Sequence, residues 1–431
     1  MNNTSRRKFI QMGTAGLVLL PKVSAAKSSM GGFIESSTVD QTFSNGVLLD
    51  STGKVHQGVG LQMVDGRITK LSKSVRGGTD LNGQWIVPGF IDAGSTLGMF
   101  EVGLESGTHD HKESKIENKE RLIPAHSYNP LSATVPVART VGYTHSFLHP
   151  SFGGMIVGQS SLVQLAGLVP SAATIEQSTG LIVSLGNRAK GDKYESRMGI
   201  ALGIRELLSE YGPTKKRKVG LFRRREVDPY VGMDPVQKIW SEIADKKKPL
   251  LITAERVDDI ELAIALKEEF SIEVVLVGGA EAWMLAEKLA KAQVPVFLGP
   301  LDVQPSGFET LHARYDNAAL LHSAGVKLAF RSGSNHGVRY TPSLAGLLVA
   351  HGLPFEAAIQ AMTVNAFDIL GIARSVDLQI DKTDLPASFF LCEGDPLQPS
   401  NAVNRMWIDG REVSLETRQT RLRKQFESLQ R

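Results

Sequence analysis

Between residues 86 and 372 the chain alternates short apolar runs with longer helical patterns, and this alternation restricts the fold more than any other feature. Strand patterns over 180–185, 249–253, 272–277, 294–298 and 326–330 are interleaved with helical patterns over 258–270, 281–292, 311–324 and 354–370. Repetition of this kind builds parallel sheets, because a strand reaches a parallel neighbour only through a crossover, which a helix supplies. The spacing, roughly 20–30 residues per unit, suits an eightfold α/β barrel of about 250 residues.

The two ends are patterned differently. Gly46-Val47-Leu48-Leu49, Val59-Gly60-Leu61-Gln62-Met63-Val64 and Ile68-Thr69-Lys70-Leu71 are short runs separated by turn signals at Asp50-Ser51-Thr52-Gly53 and Asp65-Gly66. They predict a small antiparallel β unit. Phe389-Phe390-Leu391-Cys392 and Met406-Trp407-Ile408-Asp409-Gly410 repeat the style near the C-terminus. A chain of 431 residues, 42% hydrophobic, can bury a large core and more than one domain. A net charge of +3 gives no global reason to expect nucleic acid or a membrane surface, and the single Cys392 excludes an intramolecular disulfide.

The first residues form a targeting signal. Ser5-Arg6-Arg7-Lys8-Phe9-Ile10 resembles a twin-arginine export motif, and the following apolar stretch is too short and too interrupted to span a bilayer. Residues 1–26 are therefore expected to be a signal peptide, residues 27–40 a disordered lead-in, and the mature protein periplasmic.

Trp85-Ile86-Val87-Pro88-Gly89-Phe90-Ile91-Asp92-Ala93-Gly94-Ser95-Thr96, Thr253-Ala254-Glu255-Arg256-Val257-Asp258-Asp259-Ile260 and Ala361-Met362-Thr363-Val364-Asn365-Ala366-Phe367-Asp368-Ile369-Leu370-Gly371 carry a resemblance to the amidohydrolase superfamily, especially its imidazolonepropionase-like branch. They correspond to that family's first strand, fifth strand and a late helix. The resemblance implies a (β/α)8 TIM-like barrel at 86–372. It also implies a composite β-sandwich from both chain ends, at 41–85 and 373–431, the latter with a C-terminal helix. It implies a hydrolase of non-peptide C–N bonds in cyclic or small amides, using zinc or another divalent metal.

At the positions where the resemblance puts metal ligands stand Gly94 and Thr96 on strand one, Gln164 for the lysine, Thr253 on strand five, Gly278 at the end of strand six and Gly333 after strand eight. Glycines and hydroxyls do not replace imidazole and carboxylate around zinc, so no metal or other cofactor is expected; these positions become pocket lining. His149, after strand two, and His336, after strand eight, are the candidate catalytic or substrate-binding histidines. Arg331, at the end of strand eight, offers a donor fork to a carboxylate or other anion, or a salt bridge to Glu101, Glu255 or Asp302. His109-Asp110-His111 has chelating spacing in a polar loop. Ser151-Phe152-Gly153-Gly154-Met155-Ile156-Val157-Gly158-Gln159 is expected to be a flexible loop over the barrel mouth. Lys215-Lys216-Arg217-Lys218 and Arg223-Arg224-Arg225 form a basic run with no aromatic stacking pattern, which argues against nucleic acid. Three functions remain open: a hydrolase without the usual metal, a metal-free pseudoenzyme binding a small ligand, and a structural partner in a homo- or hetero-oligomer with an active amidohydrolase relative.

Overall fold

The computed structural model describes residues 40–191, 193–213, 229–305 and 307–429. The export motif, most of the 27–40 lead-in and the basic run at 215–225 lie outside these residues. Eight strands form a barrel: β1 (Phe90–Ser95), β2 (Tyr143–Leu148), β3 (Ile156–Gln164), β4 (Thr174–Ser184), β5 (Leu250–Ala254), β6 (Val274–Gly278), β7 (Val296–Leu298) and β8 (Leu328–Phe330). A backbone bond from Gly333 N to Gly94 O, 2.9 Å, joins the last strand's end to the first. A two-residue period sorts the side chains. On β5, Leu250 and Ile252 face the surrounding helices, while Leu251 faces the barrel interior; on β6, Val275 and Val277 point in. Interior Phe147 lies 6.4 Å from Phe297 and 6.0 Å from Phe367, ring centre to ring centre. Phe367 sits on the helix Asn365–Leu370, whose first residue donates from Asn365 Nδ2 to Leu328 O at 2.8 Å.

β3 departs from the expected repeat, pairing antiparallel with both β2 and β4. Only the seven residues 149–155 separate β2 from β3, and a parallel crossover needs about a dozen or more. The chain therefore turns back as a hairpin. The glycine-rich stretch expected to be a loop over 151–159 is thus a loop only to Met155; Ile156–Gln159 are strand residues. The helical pattern at 354–370 is two helices, Phe355–Met362 and Asn365–Leu370, broken at Thr363. The expected helix at 258–270 is present as Val257–Phe270, with Asp258 and Asp259 in its first turn, where carboxylates favour the helix dipole.

A second, nine-stranded sheet draws on both ends of the chain. Gln41–Leu49, Val55–Val64 and Arg67–Ser72 come from one end, Phe389–Cys392 and Val403–Ile408 from the other. Trp85–Pro88 pairs antiparallel with Phe389–Cys392, so residues 86–88, assigned to the barrel from sequence, belong to this sheet. Its core stacks Phe389 on Trp407 at 4.7 Å, with Phe43 edge-on to both. A C-terminal helix, Arg418–Leu429, follows. Among the described residues no helix is long and apolar enough to cross a membrane.

Candidate ligand site at the barrel mouth

Alternation along β8 turns Ala329 inward, and the same period carries Arg331 into the barrel. The Arg331 side chain is 1% exposed. Its Nη1 donates to Gly299 O at 2.8 Å and its Nη2 to His149 Nε2 at 3.1 Å, while Nε has no hydrogen-bond partner. Burial and neighbouring Arg188 lower its pKa to about 10, so the guanidinium stays charged at neutral pH. No carboxylate among the described residues forms an ion pair with it, although Glu255 and Asp92 lie near enough to favour its charge. The salt bridge anticipated to Glu101, Glu255 or Asp302 is therefore not made.

Two glycines give this arginine its room. A Cβ on Gly94 would stand 3.1 Å from Arg331 Nε, and one on Gly333 3.3 Å from Arg331 Nη2. Gly278 does the same for a carboxylate: its Cβ would fall 2.6 Å from Glu255 Oε1, and its φ of +104° favours glycine independently. Glu255, at the end of β5, is 8% exposed; it accepts from Ala280 N at 3.1 Å and pairs with Arg188 Nη1 at 3.6 Å. Burial raises its pKa above the usual carboxylate range. Glu255 and Arg188 border a cavity of about 100 Å³, together with Gly278, Asp302 and Asn317.

His149 is brought to Arg331, as its place after β2 suggests, but not as a free base. Its Nδ1–H donates to Pro150 O at 2.8 Å, and its Nε2 lone pair accepts from Arg331. Burial, reinforced by Arg331, lowers its pKa to about 3. Phe152 stacks on the imidazole at 4.4 Å and lies 5.3 Å from the Arg331 guanidinium carbon and 5.2 Å from that of Arg188. His336 is exposed beside Arg339, with its ring 6.2 Å from Phe100. It does not join His149. His109 and His111 pack on the same Phe100 at 4.8 and 4.6 Å, beside a separate cavity of about 260 Å³.

Three other positions also differ from expectation. Gln164 is at the opposite end of the barrel, paired with His145 and bonded to Ala172 O, because the antiparallel β3 runs away from the mouth. Thr253 donates to Ser184 Oγ at 3.0 Å within the barrel, and Thr96 is buried at 6% exposure. Asp92, the motif's carboxylate, ties β1 to the end of β8. It accepts from Gly94 N at 3.0 Å, Ser332 N at 2.9 Å and Ser332 Oγ. Arg188 is the mouth residue that sequence reasoning missed, while Phe152 was placed over the mouth only as part of a loop and Glu255 only as a salt-bridge partner of Arg331. Only the place of Glu255 directly after β5 could have marked it.

The donor set does not fit a divalent cation. A charged guanidinium fills the space over Gly94 and Gly333, the His149 imidazole is capped, and the Thr253 hydroxyl is bonded to Ser184. Among the described residues no cluster of three or more His, Cys, Asp or Glu side chains is placed to hold a metal ion.

No family model matches the chain. Amidohydrolase tasK of Hapsidospora irregularis is 26% identical over 333 residues, covering 66% of this chain and 32% of that protein. The chain thus spans about a third of the length of the curated relative it matches. The crystal structure of an amidohydrolase from Thermotoga maritima MSB8 superposes with a TM-score of 0.77 at 24% identity, covering 86% of this chain and 99% of that one. A second amidohydrolase crystal structure gives 0.52 at 17% identity, covering 88% and 100%. At these identities the solved structures establish the fold alone. The chain is thus similar in sequence to one amidohydrolase and shares its fold with solved amidohydrolase structures.

Proposed function

We propose that this protein is an exported amidohydrolase-type barrel whose divalent-metal centre has been replaced by a built-in arginine, and that it binds a small molecule at its mouth without hydrolysing it. The observation that carries this reading is the Arg331 guanidinium lodged against Gly94 and Gly333, bonded to the His149 imidazole. A hydrolase needs a group that activates water at the reacting centre, and His149 has neither a free lone pair nor a pKa near neutrality. Export rests on the Arg6-Arg7 motif. Replacing Arg6 and Arg7 together by Lys should leave the protein in the cytoplasmic fraction; unchanged periplasmic recovery would remove that part of the reading.

The test is elemental mass spectrometry of the mature protein after incubation with zinc and manganese and then dialysis. Substoichiometric metal is expected. One or two equivalents per chain would refute the replacement and restore a metal hydrolase. Glu255 favours a second reading: a buried carboxyl with raised pKa at a cavity wall is a general acid, and the neighbouring Arg188 guanidinium a stabiliser of developing negative charge, for metal-independent cleavage of C–N bonds in small amides. It requires turnover of cyclic amides by the metal-free protein, and loss of that turnover in Glu255→Gln.

A further inference from the structure

We propose that the centre of the barrel is an anion site: a small carboxylate binds the free Nε–H of Arg331 in the gap above Gly94, beneath Phe152. This inference rests on the metal-free reading above and inverts the charge of the centre. A site built around a fixed cation takes an anion where a metal site takes anionic ligands around a bound cation.

Three observations converge on it. First, Arg331 Nε is a buried donor without a partner, and a donor left unsatisfied in that setting carries its full desolvation cost. Second, the carboxylates near enough to serve are engaged elsewhere: Asp92 by Gly94 N and by Ser332, Glu255 by Ala280 N and Arg188. Third, there is space beside Arg331. A gap of about 10 Å³ is bounded by Gly94, His149, Phe152 and Arg331, room for one oxygen-sized atom. Its remaining walls are apolar, Ile182, Leu251, Val277 and Phe297 among them, except for Ser160. A carboxylate oxygen held there gains a charge-assisted hydrogen bond from Arg331, stronger than the neutral one water would make. The face of Phe152 over both Arg331 and Arg188 closes the gap, so a group larger than one atom enters as Phe152 swings outward on the short 149–155 loop.

The experiment is calorimetric titration and thermal melting of the mature protein, prepared free of small anions, with formate, acetate, butyrate and chloride at constant ionic strength. Metal content is measured on the same preparation. Saturable binding of a small anion is expected, weakened about tenfold or more in Arg331→Met and in Gly94→Ala. The second variant covers Nε with a methyl group while leaving the arginine in place, so it tests the site even if Arg331→Met fails to fold. Affinity for carboxylates above chloride supports the proposal; the reverse order overturns the carboxylate as the ligand. Absence of saturable binding, or binding unchanged in Gly94→Ala, overturns it. Either outcome with metal-free protein leaves the replaced-centre reading standing, while a stoichiometric metal removes both.

Discussion

Asp92→Asn isolates the cost of the buried carboxylate that ties β1 to β8. Burial raises the Asp92 pKa from 3.8 to about 6, against the opposing hydrogen bonds from Ser332 and Gly94 and the charge of Arg331. That shift amounts to about 3 kcal/mol against the ionised form. A carboxyl whose folded pKa is raised adds stability that is fully present below about pH 4 and is lost as pH rises through about 6. The amide can meet the same geometry. Asp92 Oδ1 accepts both backbone amides, and an amide oxygen does so equally; Ser332 Oγ, which now donates to Oδ2, can accept from the new NH2 while donating to Ser334 O at 3.0 Å. Asp92→Asn should therefore gain stability relative to the wild type as pH rises from 4 to 8, by about 2.5 kcal/mol over the interval. Urea denaturation of both proteins across this range measures it, since every other titrating group cancels in the difference. A gap that stays flat within about 0.5 kcal/mol, or closes as pH rises, would refute the assignment of a strained carboxylate at this seam.

Two further outcomes follow from the same geometry. Gly278→Ala should cost about 2–4 kcal/mol, since it combines a positive φ with a Cβ set against the Glu255 carboxyl, and thermal melting reads the loss. His145 and His149 are buried with pKa values lowered from 6.5 to about 3, so their contribution holds above pH 6.5 and is lost as pH falls towards 3. His145→Gln should flatten the acid limb of the stability curve between pH 6 and 4; an unchanged limb would show that His145 is not held neutral.

Much of the site was legible, but not its meaning. Arg331 and His149 could be placed at the mouth because each follows a strand, and the structure brings them together at 3.1 Å. His336 follows a strand too, yet it is turned to the surface beside Arg339. Gln164 was misplaced through an assumption of parallel strands, and the seven-residue loop before β3 was the available warning. Sequence position tells which loop a residue occupies, not where its side chain comes to rest.

The sequence by itself determined the architecture. Hydrophobic period and the spacing of strands and helices are local properties, and they lead to a repeating α/β region flanked by β segments; that the two ends share one sheet was what the amidohydrolase resemblance implied. The sequence also put Gly94, Thr96, Thr253, Gly278 and Gly333 at the positions where the amidohydrolase resemblance leads one to expect metal ligands. Only the tertiary structure decided what stands in their place. A glycine in sequence is a missing side chain, and its consequence depends on which distant group moves into the space. Here Arg331 occupies the room beside Gly94 and Gly333, and Glu255 that beside Gly278. The charge at the centre of the barrel follows from those through-space contacts, which no pattern along the chain encodes.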